Sequence, residues 1–178
     1  MEESSSVLVI TGAAATGKST IGDHLRARPD LLVLDGDVLG RGAAATAYGR
    51  RDYVGFWRFV LAVCREVRSN GLVPVVPCIC LPDQVLAAAT DETVHFLALV
   101  SDEQTVRRRI AERHGVSEVP SPETHVQFDR TLRGVRTVPD PHTWVLHDVS
   151  ASDVDRTRAV GVAWADLITG LTGPRSGG

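Results

Sequence analysis

The stretch GAAATGKST, Gly12–Thr20, restricts the fold of this chain more than any other part of it. Gly12 is followed after four residues by Gly17, Lys18 and Ser19, with the apolar SVLVIT before them and the helix-like TIGDHLRAR after them. Strand, tight turn and helix are what this order demands, and the turn is a phosphate cradle. Its glycines let successive backbone N–H groups point inward, and the new helix adds the positive end of its dipole. Lys18 is the one lysine in a chain with eighteen arginines. A compact ammonium on a flexible stem suits the β- and γ-oxygens of a bound triphosphate, where a planar guanidinium would need another geometry. The motif assigns Gly12, Ala13, Ala14, Ala15, Thr16, Gly17, Lys18, Ser19 and Thr20 to nucleotide phosphate, with the Ser19 hydroxyl toward magnesium.

A length of 178 residues suits one well-buried domain, expected over 1–172, with a glycine-rich tail at 173–178 expected to be disordered. The net charge of −3 offers no footprint for nucleic acid or an anionic membrane, and no apolar run is long enough for a membrane span. Small-molecule partners are favoured, and oligomeric state is not legible. The acidic, polar MEESSS start does not read as a secretion signal, so a cytoplasmic address is expected. Cys64, Cys78 and Cys80 cannot all pair and lack zinc spacing, which predicts reduced, buried thiols.

Five apolar, β-branched runs recur, at 7–11, 31–35, 72–79, 94–100 and 143–147, separated by segments of helical period. Alternation of this kind predicts an α/β fold, a mostly parallel sheet wrapped on both faces. Pro77 lies inside the third run and cannot donate to a ladder, so that strand is expected to stop near Val76 and leave CICLP at the rim of the sheet. In 53–69 the residues Phe56, Val60, Val63 and Val67 fall near one face, and Phe56 and Trp57 read as core.

LLVLDGD brings Asp35 and Asp37 to the carboxyl end of the second strand, the edge where open α/β sheets bind ligands. If the strand continued, their spacing would point both carboxylates to one side, one toward magnesium and the other toward an acceptor hydroxyl's proton. Arg109 and Arg113 share a helical face just before HGVSEVPSP, a segment suited to a lid, whereas Arg107 and Arg108 point elsewhere. Arg50 and Arg51, near Tyr53, either clamp an anionic or hydroxyl-rich substrate or form the polar start of a helix. His24, His95, His114, His125, His142 and His147 show no metal spacing, and none is given a chemical role.

With GAAATGKST, LVLDGD, SDEQTVRRRIAERHG, THVQFDRTL and WVLHDVSASD, about residues 7–169 resemble the small P-loop kinases, gluconate kinases most closely in layout. Similar aspartate arrangements occur in shikimate kinases and chloramphenicol phosphotransferases. The resemblance implies a three-layer P-loop fold with a five-stranded parallel sheet in the order 2-3-1-4-5 and a short lid. It also implies transfer of the γ-phosphate of ATP, with magnesium, to a small-molecule hydroxyl. Asp37 would then be the base, and Arg109 and Arg113 would close over the phosphates, Arg113 serving catalysis beside Lys18. Gluconate kinases follow the aspartate motif with a histidine, a proline and a nearby asparagine, where this chain has VLGRGAAATAYGRRDYVGFW. The third strand ends in CICLPD without an acid at its tip, which leaves Asp35 as first metal candidate and Asp83 as second. A nucleoside monophosphate kinase, using Arg50 and Arg51 for a second phosphate, and a nucleotide switch without transfer are the alternative functions.

Overall fold

The sheet grows outward from β1, Ser6–Gly12, whose seven residues are all buried. In the computed structural model, which describes residues 6–42, 45–112 and 121–172, β1 pairs in parallel on both sides. Its neighbours are β3 (Val73–Pro77) and β4 (Thr93–Val100), with β2 (Leu31–Val33) beyond β3 and β5 (Thr143–Asp148) beyond β4. The order is therefore 2-3-1-4-5, as the resemblance implied. The strands come from the five apolar runs of the sequence. Arg113, the lid segment up to residue 120 and the tail at 173–178 lie outside the described residues.

Side chains alternate across β1 and separate two cores. Leu8 and Ile10 join Ile21 and Leu25 of α1 (Lys18–Leu25) and Trp164, Ala165 and Ile168 of α8 (Val154–Thr172). Val7 and Val9 face the other way, onto Phe56, Trp57, Val60, Leu61 and Cys64 of α4 (Tyr53–Ser69) and Val85 of α5 (Pro82–Leu86). A strand covered on both faces needs an unbroken apolar run, which SVLVIT supplies. Phe56 and Trp57 are each 1% exposed, so the reading of both as core holds. Short helices α2 (Gly36–Arg41) and α3 (Ala45–Gly49) link β2 to α4. A helix pair, α6 (Glu103–Ala111) and α7 (Pro122–Gly134), follows β4. No helix among the described residues is long and apolar enough to cross a membrane.

Two strand ends differ from expectation. β3 continues one residue further than expected, through Pro77, which pairs in register with Ile10 inside the sheet. In a parallel ladder successive N–H groups face alternate neighbours. The Cys78 N–H reaches the Ile10 carbonyl at 3.0 Å, so the hydrogen that Pro77 lacks would have faced β2. On that side the Leu34 N–H bonds the Val75 carbonyl at 2.8 Å and β2 ends at Val33, so the missing hydrogen falls at the very end of the β2–β3 ladder. Conversely, β2 stops at Val33, two residues before the end of its apolar run, because Asp35 starts a helix.

Glu92, just before β4, has a fully buried side chain that joins the end of α4 to the turn before β4. It accepts from Arg65 Nε at 2.7 Å and from the Thr90 and Asp91 backbone N–H groups at 3.0 and 3.3 Å. Burial alone would raise its pKa, but the Thr90 N–H, its own N–H and Arg65 outweigh that and hold the carboxyl below its usual range. A depressed folded-state pKa gives stability that is present above the ordinary glutamate value and lost as pH falls through the folded one. Glu92→Ala should cost about 1–2 kcal/mol at pH 7, since it removes the acceptor of two part-buried N–H groups while Arg65 stays half-exposed. In chemical denaturation that difference should shrink on acidification below about pH 4.

Candidate active site

The turn from β1 into α1 has the backbone that the motif demands. Gly17 caps α1 with φ 102°, a left-handed conformation, and a Cβ there would come within 2.8 Å of Thr157 Cγ2. Ala15 is also left-handed, at φ 64°, although it has a Cβ. For such a residue that conformation costs roughly 1–2 kcal/mol. Inside the loop, Thr16 Oγ1 donates to the Ala13 carbonyl at 2.9 Å. From outside it, the Ala14 N–H donates to His125 Nδ1 at 3.3 Å, and Arg109 Nη1 donates to the Ala15 carbonyl at 3.3 Å. Arg109 Nη2 reaches on to the carbonyls of Val149 and Ser152, at 3.2 and 3.4 Å, which ties the loop to the turn between β5 and α8.

Lys18 Nζ folds back over the loop and donates to the Gly12 and Ala13 carbonyls, both at 2.8 Å. Only 9% of this residue is exposed, so its charge is held at the mouth of the cradle rather than in solvent. Ser19, in the first turn of α1, is exposed. Behind the loop, Thr11 Oγ1 donates to the Cys80 carbonyl at 2.7 Å and accepts from the Cys80 N–H at 3.2 Å, fastening the exit of β3 to the base of the cradle.

Asp35 and Asp37 are not a strand pair. Asp35 is the N-cap of α2, and its Oδ1 accepts from the Asp37 and Val38 N–H groups at 2.9 and 3.1 Å. Aspartate satisfies a helix start better than it continues a strand, which is why the chain turns there. Asp37 stands exposed in the first turn of the helix, and Asp35 keeps its second oxygen for other partners. Gly36 between them lies on Cys78, where a Cβ would meet the Cys78 Cβ and Sγ at 2.6 and 2.7 Å. Cys64, Cys78 and Cys80 are free and buried, as the sequence predicts. Burial pushes the Cys80 thiol up to about 12 and the Cys78 thiol well above its ordinary range. The Cys78 sulfur also feels Asp37, Lys18 and Asp35, so the aspartate turn and the lysine share one neighbourhood at the carboxyl edge of the sheet.

The remaining assigned residues divide. Arg50 and Arg51 are exposed in the turn between α3 and α4, outside either helix, with Arg51 left-handed at φ 57°. Asp52, not an arginine, caps α4 by accepting from the Gly55 N–H at 2.8 Å, and Tyr53 begins that helix, 37% exposed. Asp83 is exposed at the start of α5, where it bonds the Gln84 N–H at 3.0 Å. Arg107 pairs with Glu103 and Glu123, and Arg108 lies 4.0 Å from Glu112, so both point away from the loop. Among the described residues no group of three or more His, Cys, Asp or Glu side chains could hold a metal alone. A magnesium ion would take most of its ligands from phosphate and water.

His125, given no role from the sequence, belongs to the site. It is 3% exposed on the buried stripe of α7 with Val126, Asp129 and Leu132. Two polar residues four apart on an apolar helical face are the signal that could have pointed to it, because buried polar groups must find partners. Asp129 finds the Ser101 N–H at 2.8 Å and Arg133 Nε at 2.9 Å, and His125 finds the loop.

No protein-family model matches the sequence, and no curated protein matches it. Solved structures do match. A sugar kinase from Janibacter sp. HTCC2649 superimposes with a TM-score of 0.71 at 15% identity, covering 94% of this chain and 98% of that one. A gluconokinase from Sinorhizobium meliloti 1021 gives 0.62 at 20% identity over 94% and 95%. A tunicamycin resistance protein from Deinococcus radiodurans gives 0.64 at 17% over 92% and 95%. Near-complete coverage of both chains, with the strand order and the loop between β1 and α1 described above, means that this chain has the fold of the small P-loop kinases.

Proposed function

We propose that the protein is an ATP- and magnesium-dependent kinase that transfers the γ-phosphate to a hydroxyl of a small molecule. The observation that carries this reading is the sharing of one sheet edge by an anion cradle and an exposed carboxylate. Lys18 and Asp37 both lie close enough to the buried Cys78 sulfur to act on it, with effects of opposite sign. A nucleotide switch needs the first of these and has no use for the second. The matched folds lend support, since their names include a sugar kinase, a gluconokinase and a shikimate kinase.

In this mechanism the loop's inward N–H groups bind the phosphates, and Lys18 exchanges its two loop carbonyls for phosphate oxygens. Asp37 accepts the proton of the acceptor hydroxyl as the new O–P bond forms. The Ser19 hydroxyl and the second oxygen of Asp35 fit a hard cation, directly or through water. Magnesium, when bound, neutralises charge building on the phosphates. Arg109, fixed to the Ala15 carbonyl, adds positive charge beside the loop, and the resemblance gives Arg113 the same task. Arg50 and Arg51, exposed in the turn after α3, and Tyr53, at the start of α4, are the candidates for holding the acceptor. A sugar acid of the gluconate type is disfavoured, because the residues after Asp37 depart from that pattern. Metabolite, nucleoside and antibiotic hydroxyls remain as acceptors. Incubation with ATP, magnesium and a pool of hydroxyl-bearing compounds, with the product identified by mass, tests the reading. Phosphate on a nucleoside monophosphate would favour the monophosphate-kinase alternative, and ATP binding without any product would favour a switch.

Lys18→Ala should abolish turnover, and Lys18→Arg should restore little of it, because the fork cannot sit where the ammonium does. Near-normal activity of the arginine variant would remove the role given to the lone lysine. Asp37→Asn keeps size and most hydrogen-bonding geometry but cannot take a proton near neutral pH. Its kcat should fall about a hundredfold, on the order of 3 kcal/mol of barrier, with ATP affinity little changed. A normal rate would make Asp37 a helix-start residue and nothing more. Asp35→Asn preserves the cap, since asparagine caps as well as aspartate. It should raise the magnesium concentration needed for half-maximal rate, and excess metal should recover part of the loss.

A further inference from the structure

Ala15 holds a conformation that a residue with a Cβ avoids, and the backbone groups on either side of it are held by two helices outside the loop. The Ala14 N–H goes to His125 of α7, and the Ala15 carbonyl goes to Arg109 of α6. The Ala14 side chain also packs against Val106 and Ile110 of α6 and Val126 of α7. A left-handed alanine crowds its Cβ against the following carbonyl, and such a position persists only where its surroundings over-determine it.

Resting on the reading of this loop as the nucleotide phosphate site, we propose that His125 is a positioning residue. Together with Arg109 it clamps Ala15 in the left-handed conformation, so that α6 and α7 preform the cradle. The bond requires an unprotonated Nδ1, which accepts the Ala14 hydrogen. Loss of that acceptor lets Ala15 relax toward right-handed backbone, and an incoming phosphate must then restore the turn before it can bind.

The test is a thermodynamic cycle on ADP binding, read by calorimetry without any acceptor, so it is independent of whether transfer occurs. His125→Leu fills the ring's space without an acceptor and should weaken ADP about tenfold, equal to ~1.4 kcal/mol. In an Ala15→Gly background the same change should cost less than about threefold, because glycine takes the left-handed conformation without the Cβ penalty. His125→Asn, with an oxygen close to the position of Nδ1, should recover most of the affinity lost in His125→Leu. Equal losses in both backgrounds, or no loss in His125→Leu, would overturn the proposal. Should His125→Leu not fold, amide exchange of the unsubstituted protein decides. An Ala14 N–H exchanging as fast as an open-chain amide would sink the clamp, and strong protection that is kept in His125→Asn but falls in Ala14 alone on His125→Phe or His125→Ala substitution would uphold it. If the unsubstituted protein binds no ADP, the phosphate-site reading fails on its own, and Ala14 exchange still reports on the clamp.

Discussion

An anion can be held by backbone N–H groups only if those groups are rigidly aimed, and in this protein the aim comes from β1. Parallel pairing to β3 on one side and β4 on the other leaves the strand no freedom, so Gly12 leaves the sheet at a set place. α1 returns along the sheet with Ile21 and Leu25 in the core beneath α8, which fixes the far end of the turn. Between those two anchors the loop carries the positive φ values of Ala15 and Gly17. The apolar burial of strand and helix offsets the local cost of the turn, as sites that store backbone strain require.

Around that turn, polar groups at the sheet edge serve the fold and the site at once. Asp35 illustrates the compromise: one oxygen satisfies two N–H groups of α2 and the other stays available. Arg109 is spread across three carbonyls from two segments, which a planar cation with several donors can do and an ammonium does less well. Lys18 shows the complementary property. Its two carbonyl partners lie within its own loop, and a flexible stem lets it exchange them without moving the backbone.

How much of this could be read beforehand depended on the range of the interaction. Strands and their parallel arrangement were legible, because the buried inner strands β1, β3 and β4 must be written as apolar runs and the edge strands β2 and β5 are apolar as well. The cradle was legible too, since its glycines and lysine act through local backbone geometry. The expected strand geometry of Asp35 and Asp37 gave way to a helix cap: capping, a contact over two or three residues, won over strand continuation. Pro77 marked the end of β3 to within one residue, because a residue without an N–H fits where the ladder is about to stop.

By itself, then, the sequence determined the parallel α/β layering and the phosphate turn, together with the burial of Phe56, Trp57 and the three cysteines. Each follows from hydrophobic period, from glycine and lysine chemistry, or from the preference of free thiols for interiors. Tertiary structure alone decided that His125 lies against Ala14, more than a hundred residues earlier in the chain. It also decided that Gly36 rests on Cys78 and that Arg109 joins the loop to the end of β5. Those contacts join residues far apart in the chain, and no local pattern encodes them. They exist because the order 2-3-1-4-5 brings the carboxyl ends of β1, β3 and β4 side by side.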